Sequence, residues 1–303
     1  MIIKDALNLP SPGEYYLGLL EIPCSFFNQQ PTVEEKYALI EQHVSRRKIE
    51  LRIKELTPHE TRVCVLDDLM FGCKRYGIRS CREIAIQMCK RNGVLSYYRR
   101  NALEYLLEEF GSDLILNEIM PTVDSALFEM IVDMFHEAAD DRLKNELLER
   151  YKREPSRFML KNLVALNVPE GLNFYIEEAR KANGIPDNSG GISEVTEAIS
   201  SIDDVNLLPH LLDAVRMLFS NSFKDGSFHT LYSSLQNALS NCAKKDFTLV
   251  NQSIDDLNVE LSQNSEAINF CSVLQGRILE ENKMSLIKNW TVPEVKRVLR
   301  DID

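Results

Sequence analysis

Glycine and proline are scarce, 12 and 11 in a chain of 303 residues. That rules out collagen-like and low-complexity chains, and most of them sit between apolar-periodic runs, as expected for long helices with short connections. No stretch approaches the roughly 18 apolar residues a membrane span needs. Met1-Ile2-Ile3-Lys4-Asp5 lacks the apolar core of a signal peptide. Catalytic signatures are missing as well. There is no G-x-x-x-x-G-K-[ST], no G-x-S-x-G, no C-x-x-C and no G-x-G-x-x-G. Cysteine is present seven times, an odd number without the spacing of a disulfide scaffold, so free thiols in a reducing, cytoplasmic compartment are expected.

What the chain does contain is helical periodicity. The clearest stretch is PSRFMLKNLVALNVPEGLNFYIEEARKANG, residues 155–184. Met159, Leu160, Leu163, Val164 and Leu166 fall at helical spacing, Asn167-Val168-Pro169 breaks the run, and Leu172, Tyr175, Ile176 and Ala179 resume it before Gly184. Two short helices with one apolar face each cannot bury those faces alone. They must stack on similar neighbours, which predicts an all-α chain built as an α-solenoid of HEAT/ARM-like antiparallel helix pairs.

The remaining runs agree. Residues 1–31 read as an irregular N-terminal segment, with a short helix around Glu14–Leu20. Thr32 and Glu35 form a capping box for a run to Leu56 that is interrupted at Ser45, giving one bent helix or two. Thr57-Pro58-His59-Glu60 reads as the start of the next helix, and Ser80 with Glu83 as the start of another. Ser96 opens a helix, a short one is expected over 113–119, and Val123, Ala126, Leu127, Met130, Ile131, Met134 and Phe135 form one apolar face. Residues 141–154 carry a thin stripe of Leu143, Leu147 and Tyr151. Unit starts at 57, 96 and 155 give irregular periods near 40 residues. The expected organisation is a helical-repeat region over 32–184, a linker or long loop at 185–192, and a second helical-repeat region over 193–303. The last of these closes with a helix boxed by Thr291 and Glu294.

The net charge of −11 is unevenly spread. Residues 1–45 carry −4, residues 46–100 carry +8 and residues 101–303 carry −15. Within the basic band, Lys74, Arg75, Arg79, Arg82, Tyr97, Tyr98, Arg99 and Arg100 are the candidate partner-binding residues. Arginines interleaved with tyrosines suit phosphates and bases, or an acidic protein surface. Lysine and arginine at helix C-termini also complement the macrodipole, which accounts for Lys74, Arg75, Lys90 and Arg91 without any ligand.

Other polar groups carry bland readings. Cys64, Cys73, Cys81 and Cys89 lack the short x2–x4 pairs that put two sulfurs on one zinc ion, and they read as buried thiols. His136-Glu137 lacks the second histidine of H-E-x-x-H. Asp203-Asp204 reads as a helix cap and Asp255-Asp256 as a solvated face. His210 and His229 have no evident nucleophile nearby. No cofactor and no metal is expected.

LKNLVALNVPEGLNFYIEEARKANGIPDN, together with SFHTLYSSLQNALSNCAKKDFTLVNQSIDDLNVELSQN, resembles the C-terminal helical-repeat region of bacterial NACHT-type STAND NTPases. The likeness covers roughly residues 96–300 and rests on leucine patterns. In that family such repeats sense a ligand, often in antiviral defence. The resemblance implies a sensor region without the NTPase part, because the nucleotide-binding loop is missing here. Two functions follow. One is a non-enzymatic protein-interaction or sensor module, with no membrane contact. The other is a HEAT-like nucleic-acid binder or DNA glycosylase using the basic band at 74–100, which would need a basic groove with a carboxylate and an aromatic at its centre.

Overall fold

A computed structural model describes residues 12–24, 32–181, 191–220 and 228–288. Residues 185–190 of the expected linker lie outside them. So do residues 1–11 and the expected last helix with Thr291, Glu294, Val295, Val298 and Leu299. Among the described residues every regular element is helical and no strand occurs, so the chain is all-α. It divides into two compact units, residues 1–138 and 139–303.

In the first unit the helices are α1 (Pro12–Gly18), α2 (Val33–His43), α3 (Arg46–Leu56), α4 (Val63–Tyr76), α5 (Arg82–Lys90), α6 (Arg100–Phe110) and α7 (Ser125–Phe135). Short 3-10 turns precede α5 and α6, and a π turn over Ile115–Ile119 leads toward α7. The capping box at Thr32 forms with both bonds: Glu35 N donates to Thr32 Oγ1 at 3.2 Å and Thr32 N to Glu35 Oε2 at 2.8 Å. The run to Leu56 is two helices, because Val44 and Ser45 adopt extended backbone between them.

Thr57-Pro58-His59-Glu60 does not start a helix. Thr57 closes α3, its hydroxyl donating to Ile53 O at 2.7 Å, and α4 begins only at Val63. Between them the Glu60 carboxylate accepts the Thr61 and Arg62 amides at 2.9 and 2.8 Å and pairs with the Arg62 guanidinium, which holds it down at about 2. Ser80 likewise makes no capping bond, and Cys81 is the residue at the N-cap of α5.

Helix α4 is the centre of this unit and packs on α2, α3 and α6. Tyr37, Ile40, Ile53, Leu69, Met70, Leu103 and Leu106 are fully buried around it. Its Gly72 lies where Tyr37 crosses, and the Tyr37 hydroxyl donates to Asp68 O at 3.0 Å. Asp68 and Lys36 form a buried ion pair at 2.8 Å; Lys36 Nζ also donates to Ile22 O and Asp68 accepts from Cys24 N, which fastens residues 22–24 to α2 and α4.

The second unit comprises α8 (Asp141–Arg153), α9 (Arg157–Ala165), α10 (Pro169–Lys181), α11 (Gly191–Ile199), α12 (Leu208–Leu218), α13 (Phe228–Lys245), α14 (Phe247–Glu260) and α15 (Ser265–Lys288). The α9–α10 hairpin forms as its spacing predicts. Ser156 accepts from Met159 N at 3.2 Å, Asn167 turns the chain at φ 57, and Pro169 is the first residue of α10. Met159, Leu160, Leu163, Val164, Leu172, Tyr175 and Ile176 are buried in it. Helix α11 packs on α9, and Tyr175 Oη meets Thr196 Oγ1 at 3.1 Å, so the helices flanking residues 185–192 belong to one packed unit. The division into units falls at 138/139.

Within each unit the packing is local in a specific way. α4 packs on α6, α9 on α11, α10 on α12, α11 on α13 and α13 on α15, alongside pairs of consecutive helices. Several helices therefore meet the next one in the chain or the one after it, and α9 and α13 meet both.

Candidate functional site

The basic band of residues 74–100 lies on α4, α5, the turn before α6, and the start of α6. Much of its charge is paired, mostly with carboxylates from outside the band. Lys74 Nζ bonds Glu104 at 2.7 Å, and the Arg75 guanidinium grips Glu41 through Nε at 2.9 Å and Nη2 at 2.7 Å. Arg79 donates to Glu109 O at 2.8 Å and lies over the Phe110 ring at 4.8 Å. Arg82 reaches Glu83 and Glu118, and Arg100 bonds Glu104 at 2.8 Å. The contacts have chemical consequences: Arg75 and Tyr76 hold the Glu41 carboxyl below its usual range, and although burial pushes Glu104 up, Lys74 and Arg100 outweigh it. Apart from Arg82–Glu83 and the i,i+4 pair Arg100–Glu104, the partners stand 30 to 36 residues apart along the chain.

Arg99 is withdrawn from the surface altogether, at 0% exposure. Its guanidinium makes a two-pronged pair with Asp124, Nη1 to Oδ2 and Nη2 to Oδ1 at 2.9 Å each. Nη1 also reaches the carbonyls of Cys89 and Arg91 at the end of α5, and Asp124 caps α7 by accepting from Leu127 N at 3.0 Å. Arg99 is therefore a buried clamp joining α5, α6 and α7, and its guanidinium is not presented at the surface. Tyr97 remains exposed with its ring centroid 4.0 Å from that of half-buried Tyr98.

Asp67 on α4 plays the same joining role toward α6. It accepts from Asn101 N at 3.2 Å and Asn101 Nδ2 at 3.0 Å, at the open N-terminus of that helix. Burial raises its carboxyl to about 7 despite those two bonds, and Asp68 and Glu104 add to the rise. A folded-state value above the unfolded one means stability present at low pH is lost as pH climbs from about 4 through about 7. Asp67→Asn keeps an acceptor for Asn101 N and removes the charge. Urea denaturation at pH 5 and pH 8 should show the wild type losing stability across that interval and the variant losing distinctly less.

Beside the band, α6 and α7 leave a groove of about 610 Å³. Leu107, Ala126, Met130 and Met134 supply its apolar wall; Glu104, Glu129 and Asp133 supply acidic groups, with Ser96 and Arg100 also on its lining. Of the expected core face, Val123, Leu127, Ile131 and Phe135 are buried, joined by Phe128 and Val132, while Met130 and Met134 are half-buried and Ala126 is exposed. Burial pushes the Glu129 carboxyl up and Asp133, four residues on, pushes it further. Among the described residues neither carboxylate has a cation paired to it.

The other polar candidates gather nothing. Cys73, Cys81 and Cys89 are buried and Cys64 half-buried; the interaction between Cys73 and Cys81 lowers the Cys81 thiol and raises that of Cys73. His210 Nδ1 meets Asn173 Oδ1 at 2.9 Å, His136 and His229 are exposed, and Asp204 caps the turn before α12. Among the described residues no three of His, Cys, Asp and Glu are placed to hold a metal ion, and no helix is long and apolar enough to cross a membrane. No family model matches the chain, and neither a curated protein nor a solved structure matches it.

Proposed function

We propose that the chain is a non-enzymatic protein-interaction module, built in each unit as a HEAT-like stack of antiparallel helix pairs. Contacts between helices next to one another and next but one in the chain, such as α9 with both α10 and α11 and α13 with both α14 and α15, support such stacking. This reading takes up the likeness to the ligand-sensing repeats of NACHT-type NTPases. The observation that carries it is the fate of the basic band. Cations that would have neutralised phosphates already hold internal carboxylates, one of them fully buried, while an apolar groove stands open beside them. Nucleic-acid binding draws on Lys and Arg that are free to release counterions.

Two measurements test it together. Duplex DNA titrated by fluorescence anisotropy at about 50 mM salt should not bind, and Arg79→Glu with Arg100→Glu should change nothing. Crosslinking in the native cell should recover the same protein repeatedly, attached at mapped positions of this chain. Tight DNA binding that weakens steeply with salt and vanishes in the charge-reversed variant would overturn the reading.

A further inference from the structure

Helix α7 carries two side-by-side rows facing the groove. Met130 and Met134 are one turn apart, and Glu129 and Asp133 are one turn apart next to them. Like charges at i and i+4 destabilise a helix. Here burial and the neighbouring Asp133 both push the Glu129 carboxyl up, and no lysine or arginine among the described residues opposes them. Across the groove the α6 side differs: Glu104 there is neutralised by Lys74 and Arg100. The acidic demand therefore belongs to α7 alone, on the rim of an apolar wall.

We propose that this groove docks a basic amphipathic helix from a partner protein. The inference rests on the interaction-module reading and names the partner's chemistry. Residues 126–134 span about 12 Å at 1.5 Å per residue, the length of two helical turns. A docked helix would set two apolar residues, spaced i and i+4, against Leu107, Met130 and Met134, and place lysine or arginine ammonium or guanidinium groups beside Glu129 and Asp133. Methionine suits such a wall, because its unbranched, polarisable side chain re-forms around different apolar partners. Leu95 and Tyr97, the chain neighbours of groove-lining Ser96, are exposed at 60% and 54%. A carboxylate pair that weakens its own helix is what a site tuned for a cation looks like.

The test uses the full chain and three synthetic peptides: an amphipathic Leu/Lys helix, a scrambled peptide of the same composition, and a Leu/Glu helix of the same pattern. Anisotropy should show binding of the first, at least tenfold weaker binding of the second, and none of the third. Methyl spectra of methionine-labelled protein should show Met130 and Met134 shifting with the first peptide. The double variant Glu129→Gln, Asp133→Asn should bind roughly tenfold more weakly yet melt at a higher temperature, since it relieves the repulsion; a structural role alone would not move the two in opposite directions. Equal binding of the scrambled peptide, methyl shifts elsewhere, or unchanged affinity in the double variant would overturn the groove. If native-cell crosslinks still gave one protein partner at positions outside 96–134, the module reading would stand without this site. DNA binding in place of protein crosslinks would remove both.

Discussion

Asp124→Ala should destabilise the first unit by about 3–5 kcal/mol, and Arg99→Met by distinctly less, although the two side chains make the same contact. The asymmetry follows from where each charge is left. The Arg99 side chain is 0% exposed and the Asp124 side chain 31% exposed. Removing Asp124 strands a guanidinium that no water reaches, and its Nε already has no hydrogen-bond partner. It also removes the acceptor for Leu127 N at the start of α7, a loss of about 1 kcal/mol in its own right. Removing Arg99 instead takes away a buried charge together with its desolvation cost. Methionine fills much of the volume, and Asp124 keeps both Leu127 N and access to solvent. Urea denaturation followed by circular dichroism, with amide exchange across residues 125–135, measures both variants and the double. The double should cost less than the sum of the singles, because the stranded cation is gone. Equal costs for the two single variants, or a cost below about 1 kcal/mol for Asp124→Ala, would refute the buried-clamp account.

Arg99 also shows where sequence reading stops. In one dimension it is another positive charge in a band of +8, next to exposed Tyr97 and Arg100. What buries it is an acid 25 residues on, at the cap of a helix from a later pair. Lys74, Arg75 and Arg79 behave the same way: charge counted along the chain separates signs that the helix packing brings back together. Patterns closed within a few residues were readable for the opposite reason. The capping box at Thr32 and the break at Asn167 are satisfied within a few residues, and the thin stripe of Leu143, Leu147 and Tyr151 is legible from the spacing within one helix. Thr57-Pro58-His59-Glu60 misled because threonine bonds backward to Ile53 as readily as forward, and the choice depends on what precedes it. Helix α7 misled because it is apolar over so much of its circumference that two adjacent stripes fit the same spacing, and burial chose the one through Phe128 and Val132. The signal for the other stripe was present. Glu129 and Asp133 one turn apart beside Met130 and Met134 is a repulsion with no local relief.

Gly171→Val should destabilise the second unit by more than about 3 kcal/mol, lowering its melting temperature by roughly 6–12 °C, and Gly171→Ala by about 1–3 kcal/mol. At this position in α10 an added Cβ would stand 2.7 Å from Leu163 Cβ, 2.9 Å from Leu163 C and 3.0 Å from Val164 N. These atoms belong to the last turns of α9, so no rotamer change clears them and the two helices must part. Valine adds a branch at the same crowded point and cannot turn away. Gly72 supplies the contrast. A Cβ there would overlap the Tyr37 hydroxyl and stand 2.6 Å from Tyr37 Cζ and 2.8 Å from Ile53 Cδ1, so the obstacles are side-chain ends. Tyr37→Phe removes the nearest of them, and it should recover part of the loss in Gly72→Ala. For Gly171→Ala no such partner exists: Leu163→Ala leaves Cβ, C and N where they were, so the double variant should be at least as unstable as the sum of its parts. Thermal melts of the four single and double variants decide it. Recovery at Gly171 by trimming Leu163 would show that the α9–α10 contact is made by side chains after all, and not by the close approach of two backbones.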